Sequence, residues 1–173
     1  PGSGRAPSAG ATSRSRRIGD YPIAYLDHTA ATLKPRRVMD AISEFSALRS
    51  ANVHRGMHTL SEEATDAYEG ARKTIAAFIN APSDQELVFT RNTTEGINLV
   101  AQCYLQPRIR PGDEILCTVM EHHANLIPWQ LVAERTGAKL LFARVLPSGQ
   151  LDLDDWYSKL SARTKFVSIA HVS

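Results

Sequence analysis

The chain has 173 residues, of which 43% are hydrophobic and 22% are charged, a composition typical of globular proteins. No apolar run approaches the roughly 20 residues that a membrane-spanning helix needs, so we expect no membrane span. The net charge is +2, but residues 1–17 hold four arginines and no acid, which leaves 16 basic and 18 acidic residues elsewhere. The remainder is slightly acidic, which argues against nucleic-acid binding.

Residues 1–20 are rich in Gly, Ser, Ala, Pro and Arg, and we expect them to form a disordered basic tail. This composition is typical of an ordinary flexible terminus, but also of the remains of an organelle transit peptide. The first interpretation favours the cytoplasm and the second favours a plastid or mitochondrion. The two cysteines, Cys103 and Cys117, make no disulfide framework, so we expect a reducing compartment and inert packing of both thiols.

Periodicity and turn residues predict helices and strands that alternate along most of the chain. In chain order we predict a helix over 35–48, a loop over 49–59, a helix over 61–79, a strand over 87–90, a helix over 94–105, a strand over 114–118, a helix over 126–136, a strand over 139–144, a helix over 153–160 and a strand over 165–171. This alternation predicts an α/β fold with a largely parallel sheet that helices cover on both faces.

Three local patterns are predicted to mark helix ends. Pro35 is a plausible first residue of the first helix, because its fixed φ suits that position. Thr59 and Glu62 fit a capping box at the start of the second helix. Gly137 is predicted to end the helix over 126–136.

The segment 90–98 lies at a predicted strand-to-helix junction and contains two adjacent threonines, Thr93 and Thr94. Hydroxyls and free backbone N–H groups at the positive end of a helix suit a phosphate group. The same pattern is typical of simple capping, with Thr as N-cap and Glu95 in the first turn. The segment has no glycine-rich dinucleotide or P-loop motif.

The segment 120–125 follows the strand over 114–118, at the edge where open parallel sheets bind ligands. A histidine there can stack on a flat cofactor or relay a proton, and a hydrogen-bonded surface histidine is the alternative. Adjacent side chains of an extended chain point in opposite directions, so we do not expect His122 and His123 to share a metal ion.

A third polar segment, 52–60, contains His54 and His58, which would share one face of a helix and form a possible metal pair. Gly56 and the missing periodicity predict a loop instead, and no third ligand is evident, so we expect no metal site. Arg55 can bind a carboxylate or phosphate, although a solvated loop arginine is more common.

Taken together, in this order and spacing, these segments resemble the cysteine desulfurases of the class V aminotransferase family, within pyridoxal 5'-phosphate (PLP) fold type I. The SUF-type (group II) branch, which includes selenocysteine lyases, is the most similar. The resemblance runs from about Tyr25 to Ser173, and its strongest stretches are 51–65, 89–102, 111–115, 120–130 and 171–173. It implies that residues 61–173 begin the PLP-binding large domain, whereas residues 21–60 hold an N-terminal segment of the small domain and an active-site loop.

The resemblance also implies an activity, the PLP-dependent removal of sulfur from L-cysteine, which gives L-alanine and an enzyme persulfide for iron–sulfur cluster assembly. A selenocysteine lyase that acts on L-selenocysteine, another class V enzyme such as a kynureninase-like one, and a truncated non-catalytic paralogue that binds or dimerises are the alternatives. The implied partners are a second copy in a homodimer and a sulfur-acceptor or scaffold protein, with no nucleic acid and no membrane.

By the family pattern, Thr93 and Thr94 would hold the cofactor phosphate. His122 would stack on the pyridine ring and assist proton transfer, and Asn125 and His123 would support it. The Schiff-base lysine, the aspartate that faces the pyridine nitrogen and the persulfide cysteine are expected after Ser173, since relatives in the family are much longer. We therefore expect this chain to be the N-terminal portion of the enzyme.

By the same pattern, Ala30 would lie near the substrate carboxylate, and His54 and Arg55 would line the mouth of the active site. The sequence departs from the family at two positions. His28 replaces the usual Asn, which changes the expected shape of the substrate pocket. Asn92 stands where Gly is typical, and we expect the turn to survive because Asn tolerates left-handed backbone.

Overall fold

The computed structural model describes residues 17–28 and 31–172, which fall into two compact units. The first unit ends at Leu87 and the second begins at Val88. The expectation of disorder over residues 1–16 and the role expected of Ala30 lie outside the described residues. Among the helices of the described ranges, none has the length and apolarity needed to cross a membrane.

The first unit is mainly helical. Its elements are β1 (Arg17–Ile18), β2 (Tyr21–Pro22), α1 (Arg36–Leu48), α2 (Thr59–Phe78) and a 3₁₀ turn (Asp84–Glu86). The strands β1 and β2 pair antiparallel, so residues 17–20, which we expected to belong to the disordered tail, form a small hairpin instead. Pro35 was predicted to be the first helical residue of α1. It is the N-cap instead, and the helix begins one residue later, at Arg36.

The start of α2 differs from the predicted capping box. His58 is the N-cap, and its Nδ1 accepts a hydrogen bond from the backbone N–H of Ser61 at 3.3 Å, so Thr59 is the first helical residue. Ser61 is buried, and its hydroxyl donates to the carbonyl oxygen of Asn52 at 2.6 Å. A Cβ atom on Gly56 would lie only 2.6 Å from the Cβ of Ser61, so this loop position requires glycine.

The second unit is an α/β layer structure. Its elements are α3 (Thr93–Leu99), which continues as a π-helical segment (Val100–Leu105), β3 (Glu114–Thr118), a 3₁₀ turn (His123–Asn125), α4 (Ile127–Thr136), β4 (Lys139–Ala143), α5 (Leu153–Lys159) and β5 (Thr164–Val167). The strand order is β4-β3-β5, and both pairs are parallel. The predicted α/β fold with a parallel sheet is thereby confirmed.

The core of this unit lies around β3. Every residue of β3 is buried, as expected for a central strand with both faces covered, whereas β5 alternates between half-buried and exposed residues. Trp129 of α4 is 2% exposed, and its ring packs against Phe166 of β5 with 4.7 Å between ring centroids. Gly137 ends α4 as predicted, with a left-handed φ of 74°.

Three predicted elements of the second half are corrected. The predicted strand over 87–90 forms no strand, because no described strand pairs with it. The predicted strand over 165–171 ends at Val167, since the N–H of Ala170 bonds to the side chain of Glu121 rather than to β3. The helix predicted over 94–105 starts one residue earlier and changes to π geometry at Val100.

Candidate active site

A cleft of about 500 Å³ opens where the carboxyl ends of β3 and β5 meet the start of α3. It lies at the edge of the sheet where open α/β folds bind ligands. The side chains and backbone that line it are those of Thr93, Thr94, Ile97, Glu121, His122, Ala124, Asn125, Ser168, Ile169 and Ala170. The structure therefore brings together the four cofactor-binding residues expected from the resemblance, Thr93, Thr94, His122 and Asn125.

Asn92, rather than a threonine, caps α3. Its Oδ1 accepts a hydrogen bond from the N–H of Glu95 at 2.9 Å. The carboxylate of Glu95 in turn accepts from the backbone N–H and the guanidinium of Arg91, whose side-chain hydrogen bond is the main cause of a lowered pKa of Glu95. The φ of Asn92 is −168°, which is extended backbone, so the left-handed conformation expected here is wrong.

This cap leaves Thr93 and Thr94 available for a ligand. They are the first two residues of α3, and the first N–H groups of a helix have no intrahelical acceptor. Across the part of the chain that the structure describes, neither hydroxyl has a hydrogen-bond partner. Both side chains line the cleft at the positive end of the helix dipole, where an anionic group is stabilised.

The ring of His122 is oriented by the backbone. Its Nδ1 accepts a hydrogen bond from the N–H of Ala124 at 3.1 Å, so in the neutral ring the proton belongs on Nε2. His122 is exposed and lines the cleft, whereas the ring of His123 lies at 68° to it with 6.0 Å between centroids. The arrangement suits a ring that presents one face and one proton donor to a flat ligand.

Asn125 forms the polar floor of the cleft. Its Oδ1 accepts hydrogen bonds from the indole N–H of Trp129 at 3.1 Å and from the hydroxyl of Ser168 at 2.6 Å. Its Nδ2 donates to Glu121 at 2.6 Å. The side chain is therefore held by α4, by the segment after β5 and by the segment after β3 together.

Glu121 and Ser168 are site residues that the sequence analysis did not assign. Ser168 is 43 residues away from Asn125 in the chain, and only the pairing of β3 with β5 brings the two together. Glu121 lies inside the polar segment 120–125, which was a usable signal, but the segment alone does not show which groups a carboxylate would contact.

His54 and Arg55 belong to the first unit. His54 has a left-handed φ of 63°, and its Nε2 lies 2.9 Å from a carboxylate oxygen of Glu69. Its backbone N–H donates to the hydroxyl of Thr65 at 3.0 Å, and its ring lies edge-on to Tyr68. Arg55 is exposed. The loop is thus fastened to α2 through His54, and Arg55 follows at the surface.

Neither cysteine has the environment of a reactive thiol. Cys117 is fully buried in β3, and burial raises the pKa of its thiol to about 12. Cys103 is exposed on the π-helical segment, and the guanidinium of Arg108 bonds to its backbone carbonyl oxygen rather than to its thiol. Within residues 17–28 and 31–172, no three His, Cys, Asp or Glu side chains cluster as a metal site would require.

The family model described as aminotransferase class-V matches residues 24–173, and the chain belongs to this family. A protein of Synechocystis sp. named "probable cysteine desulfurase" is 46% identical over 173 residues, which cover 96% of this chain and 41% of that protein. A protein of Enterobacter sp. named "cysteine desulfurase" is 49% identical over 162 residues, which cover 92% of this chain and 39% of that protein.

Two solved structures agree with this assignment. The apo structure of a cysteine desulfurase from Thermococcus onnurineus is 45% identical with a TM-score of 0.79, over 85% of this chain and 36% of that one. The cysteine desulfurase CsdA from Escherichia coli, in an S-sulfonic acid form, is 44% identical with a TM-score of 0.67, over 78% and 34% of the two chains. The chain thus spans about two fifths of the length of the curated relatives it matches.

Proposed function

We propose that the full-length protein is a PLP-dependent cysteine desulfurase, which takes sulfur from L-cysteine, leaves L-alanine and carries the sulfur as an enzyme persulfide. The observation that carries the proposal is the convergence of Thr93, Thr94, His122 and Asn125 on one cleft. The proposal is also supported by relatives that are 46% and 49% identical to this chain and are named probable cysteine desulfurase and cysteine desulfurase.

The residues of the cleft fit PLP. The cofactor carries a phosphate and a flat aromatic ring, and the cleft offers a matching donor set for each. Thr93 and Thr94 supply two hydroxyls without described partners at a helix start, which suits a phosphate. The imidazole of His122 supplies a flat face for the ring, and Nδ1 is already engaged by the backbone.

When bound, PLP supplies an electron sink for bond cleavage at the amino acid. The residues of this chain bind and orient it. Thr93 and Thr94 fix the phosphate, and the helix dipole behind them stabilises its charge. His122 holds a proton at Nε2, on the side of the ring away from its bond to Ala124, and so can exchange it with a group in the cleft.

The proposal is tested with the full-length protein. Purified protein with PLP should release one alanine for each sulfur that it removes from L-cysteine, measured by alanine quantification and by sulfide after reduction. No alanine release from L-cysteine with PLP bound would contradict the activity. Release that occurs from L-selenocysteine alone would favour a selenocysteine lyase.

We further propose that the enzyme belongs to the SUF-type branch, works as a homodimer and passes sulfur to an acceptor or scaffold protein for iron–sulfur cluster assembly. The support is the resemblance carried by 51–65, 89–102 and 120–130. Sedimentation velocity of the full-length protein would measure its mass, and a monomer would contradict the homodimer. Transfer of ³⁵S from labelled cysteine to candidate acceptor proteins would identify the partner, and cysteine turnover that no acceptor accelerates would contradict the transfer role.

A further inference from the structure

The carboxylate of Glu121 joins the two walls of the cleft. One wall follows β3 and carries His122, and the other wall follows β5. Glu121 accepts hydrogen bonds from three donors: the backbone N–H of Ala170 (3.1 Å to each oxygen), Nδ2 of Asn125 (2.6 Å) and the hydroxyl of Thr118 (2.7 Å). The charged carboxylate at position 121 therefore accepts hydrogen bonds from both walls at once.

The orientation of the Asn125 amide is fixed by its bond to Trp129. The indole N–H of Trp129 can only donate, and Trp129 is 2% exposed, so no other partner is available to it. The Oδ1 of Asn125 must face that N–H, and Nδ2 must therefore face Glu121. A glutamine at position 121 could keep its bonds to Nδ2 of Asn125 and to the N–H of Ala170 only through its single, uncharged oxygen, with its N–H₂ turned to the hydroxyl of Thr118, which can accept. Hydrogen bonds to an uncharged oxygen are weaker than those to a carboxylate.

Asn125 is also tied to His122 through the backbone, because its N–H donates to the carbonyl oxygen of His122 at 2.7 Å. The same short turn supplies the Ala124 N–H that holds Nδ1 of the ring. The hydrogen bonds that Glu121 accepts from Asn125 and from Ala170 therefore also hold the turn that carries His122. Resting on the function proposed above, we propose that Glu121 is a positioning residue, which holds His122 in place for the PLP ring.

Glu114 gives a matched control. It lies at the opposite end of β3, is 4% exposed, and accepts hydrogen bonds from the hydroxyl of Ser161 at 2.7 Å and from Nε of Arg163 at 3.0 Å. Glu114→Gln therefore removes the charge of a buried, hydrogen-bonded carboxylate at the far end of β3 without touching the cleft. A loss shared by both variants reports general stability, whereas a loss confined to Glu121→Gln reports positioning.

The first test titrates PLP into cofactor-free, full-length protein. Glu121→Gln should raise the dissociation constant of PLP about tenfold, since the bonds from Asn125 and Ala170 would then end on an uncharged amide oxygen. It should also weaken the visible circular dichroism of bound PLP, and Glu114→Gln should change neither quantity. Wild-type affinity and dichroism in Glu121→Gln would overturn the proposal. If that variant does not fold, Glu121→Asp, which is one methylene too short to span both walls, is measured against the same two outcomes.

The second test needs no cofactor, and it separates this proposal from the proposed function. Hydrogen exchange of the cofactor-free protein, read by mass spectrometry, should speed up over residues 119–126 in Glu121→Gln and not in Glu114→Gln. If the wild type binds no PLP, the proposed function fails, and exchange alone decides whether Glu121 orders the turn of His122. Exchange at the wild-type rate over 119–126 would overturn the positioning role.

Discussion

The Nδ1 atom of His122 and the backbone N–H of Ala124 are joined by a hydrogen bond of 3.1 Å. The imidazole thus caps a 3₁₀ turn with one nitrogen and offers the other to the cleft. The cap and the proton exchange proposed for Nε2 would use opposite sides of one ring, which allows the two roles to be separated by mutation.

His122→Asn should keep the cap, because Asn is a good N-cap acceptor, while it removes the ring. His122→Phe keeps an aromatic face but has no acceptor for the Ala124 N–H. We expect both variants to lower kcat by about 100-fold, in line with the loss of an acid–base group. His122→Phe alone should lower the melting temperature, and His122→Asn alone should weaken PLP binding strongly. Turnover at the wild-type rate in either variant would remove His122 from the chemistry.

Thr93→Val and Thr94→Val should each weaken PLP binding by roughly tenfold or more, because a hydrogen bond to a charged phosphate contributes about 1.5–3 kcal/mol. The measurement is the dissociation constant from fluorescence quenching of the full-length protein. Thr74→Val is the control, since the hydroxyl of Thr74 bonds only to the carbonyl of Gly70 in its own helix. Equal affinities in all three variants would contradict a phosphate site at the start of α3.

Gly137→Ala and Gly70→Ala should have opposite effects on stability. Gly137 has a φ of 74°, and an added Cβ would lie 3.3 Å from the Cβ of Pro111, so alanine should cost about 1–2 kcal/mol. Gly70 lies within α2 with nothing within 4 Å of an added Cβ, so alanine should stabilise by roughly 0.5–1 kcal/mol. The melting temperatures of the two variants, measured against the wild type, should fall for Gly137→Ala and rise for Gly70→Ala. A higher melting temperature in Gly137→Ala would contradict the left-handed cap.

Asp155 should contribute to acid sensitivity. Its hydrogen bond from Lys159, followed by that from the N–H of Arg144, lowers its pKa below the ordinary 3.8. A carboxylate whose folded pKa is lowered stabilises the protein above its unfolded pKa and loses that contribution as pH falls through the folded value. The melting-temperature deficit of Asp155→Asn should therefore be largest near neutral pH and shrink below pH 3.8. The exposed Asp154→Asn serves as control, and a deficit that does not change with pH would contradict the ion pair.

The sequence pattern predicted the helices and their ends better than it predicted the strands. The amphipathic period was sufficient to predict α2, and the glycine after α4 was sufficient to predict where α4 ends. Both predictions succeed because a helix forms its hydrogen bonds within a few residues of the same segment. The segment 87–90 has strand-like residues, but a strand exists only when another strand pairs with it. Thr59 was predicted to cap α2, but His58 is the cap, because an imidazole nitrogen can accept the backbone hydrogen bond as a hydroxyl does.

The lining of the cleft was predictable where its residues are contiguous in the sequence and was missed where they are not. Thr93, Thr94 and His122 stand in short polar segments at element ends, which is where ligand sites of α/β folds occur. Glu121 contacts Ala170, 49 residues further along the chain, and that contact depends on β3 and β5 being neighbours. Sequence spacing carries no record of such a bond until the strand order is known.

The three-stranded sheet has a practical consequence for work in the laboratory. In the described ranges, the outer edges of β4 and β5 have no neighbouring strand, and Val167 of β5 is 42% exposed. Unpaired strand edges with apolar side chains recruit strands from other molecules. Production of these 173 residues alone should therefore give aggregates, and a charged residue in place of Val167 at this edge should reduce the aggregation.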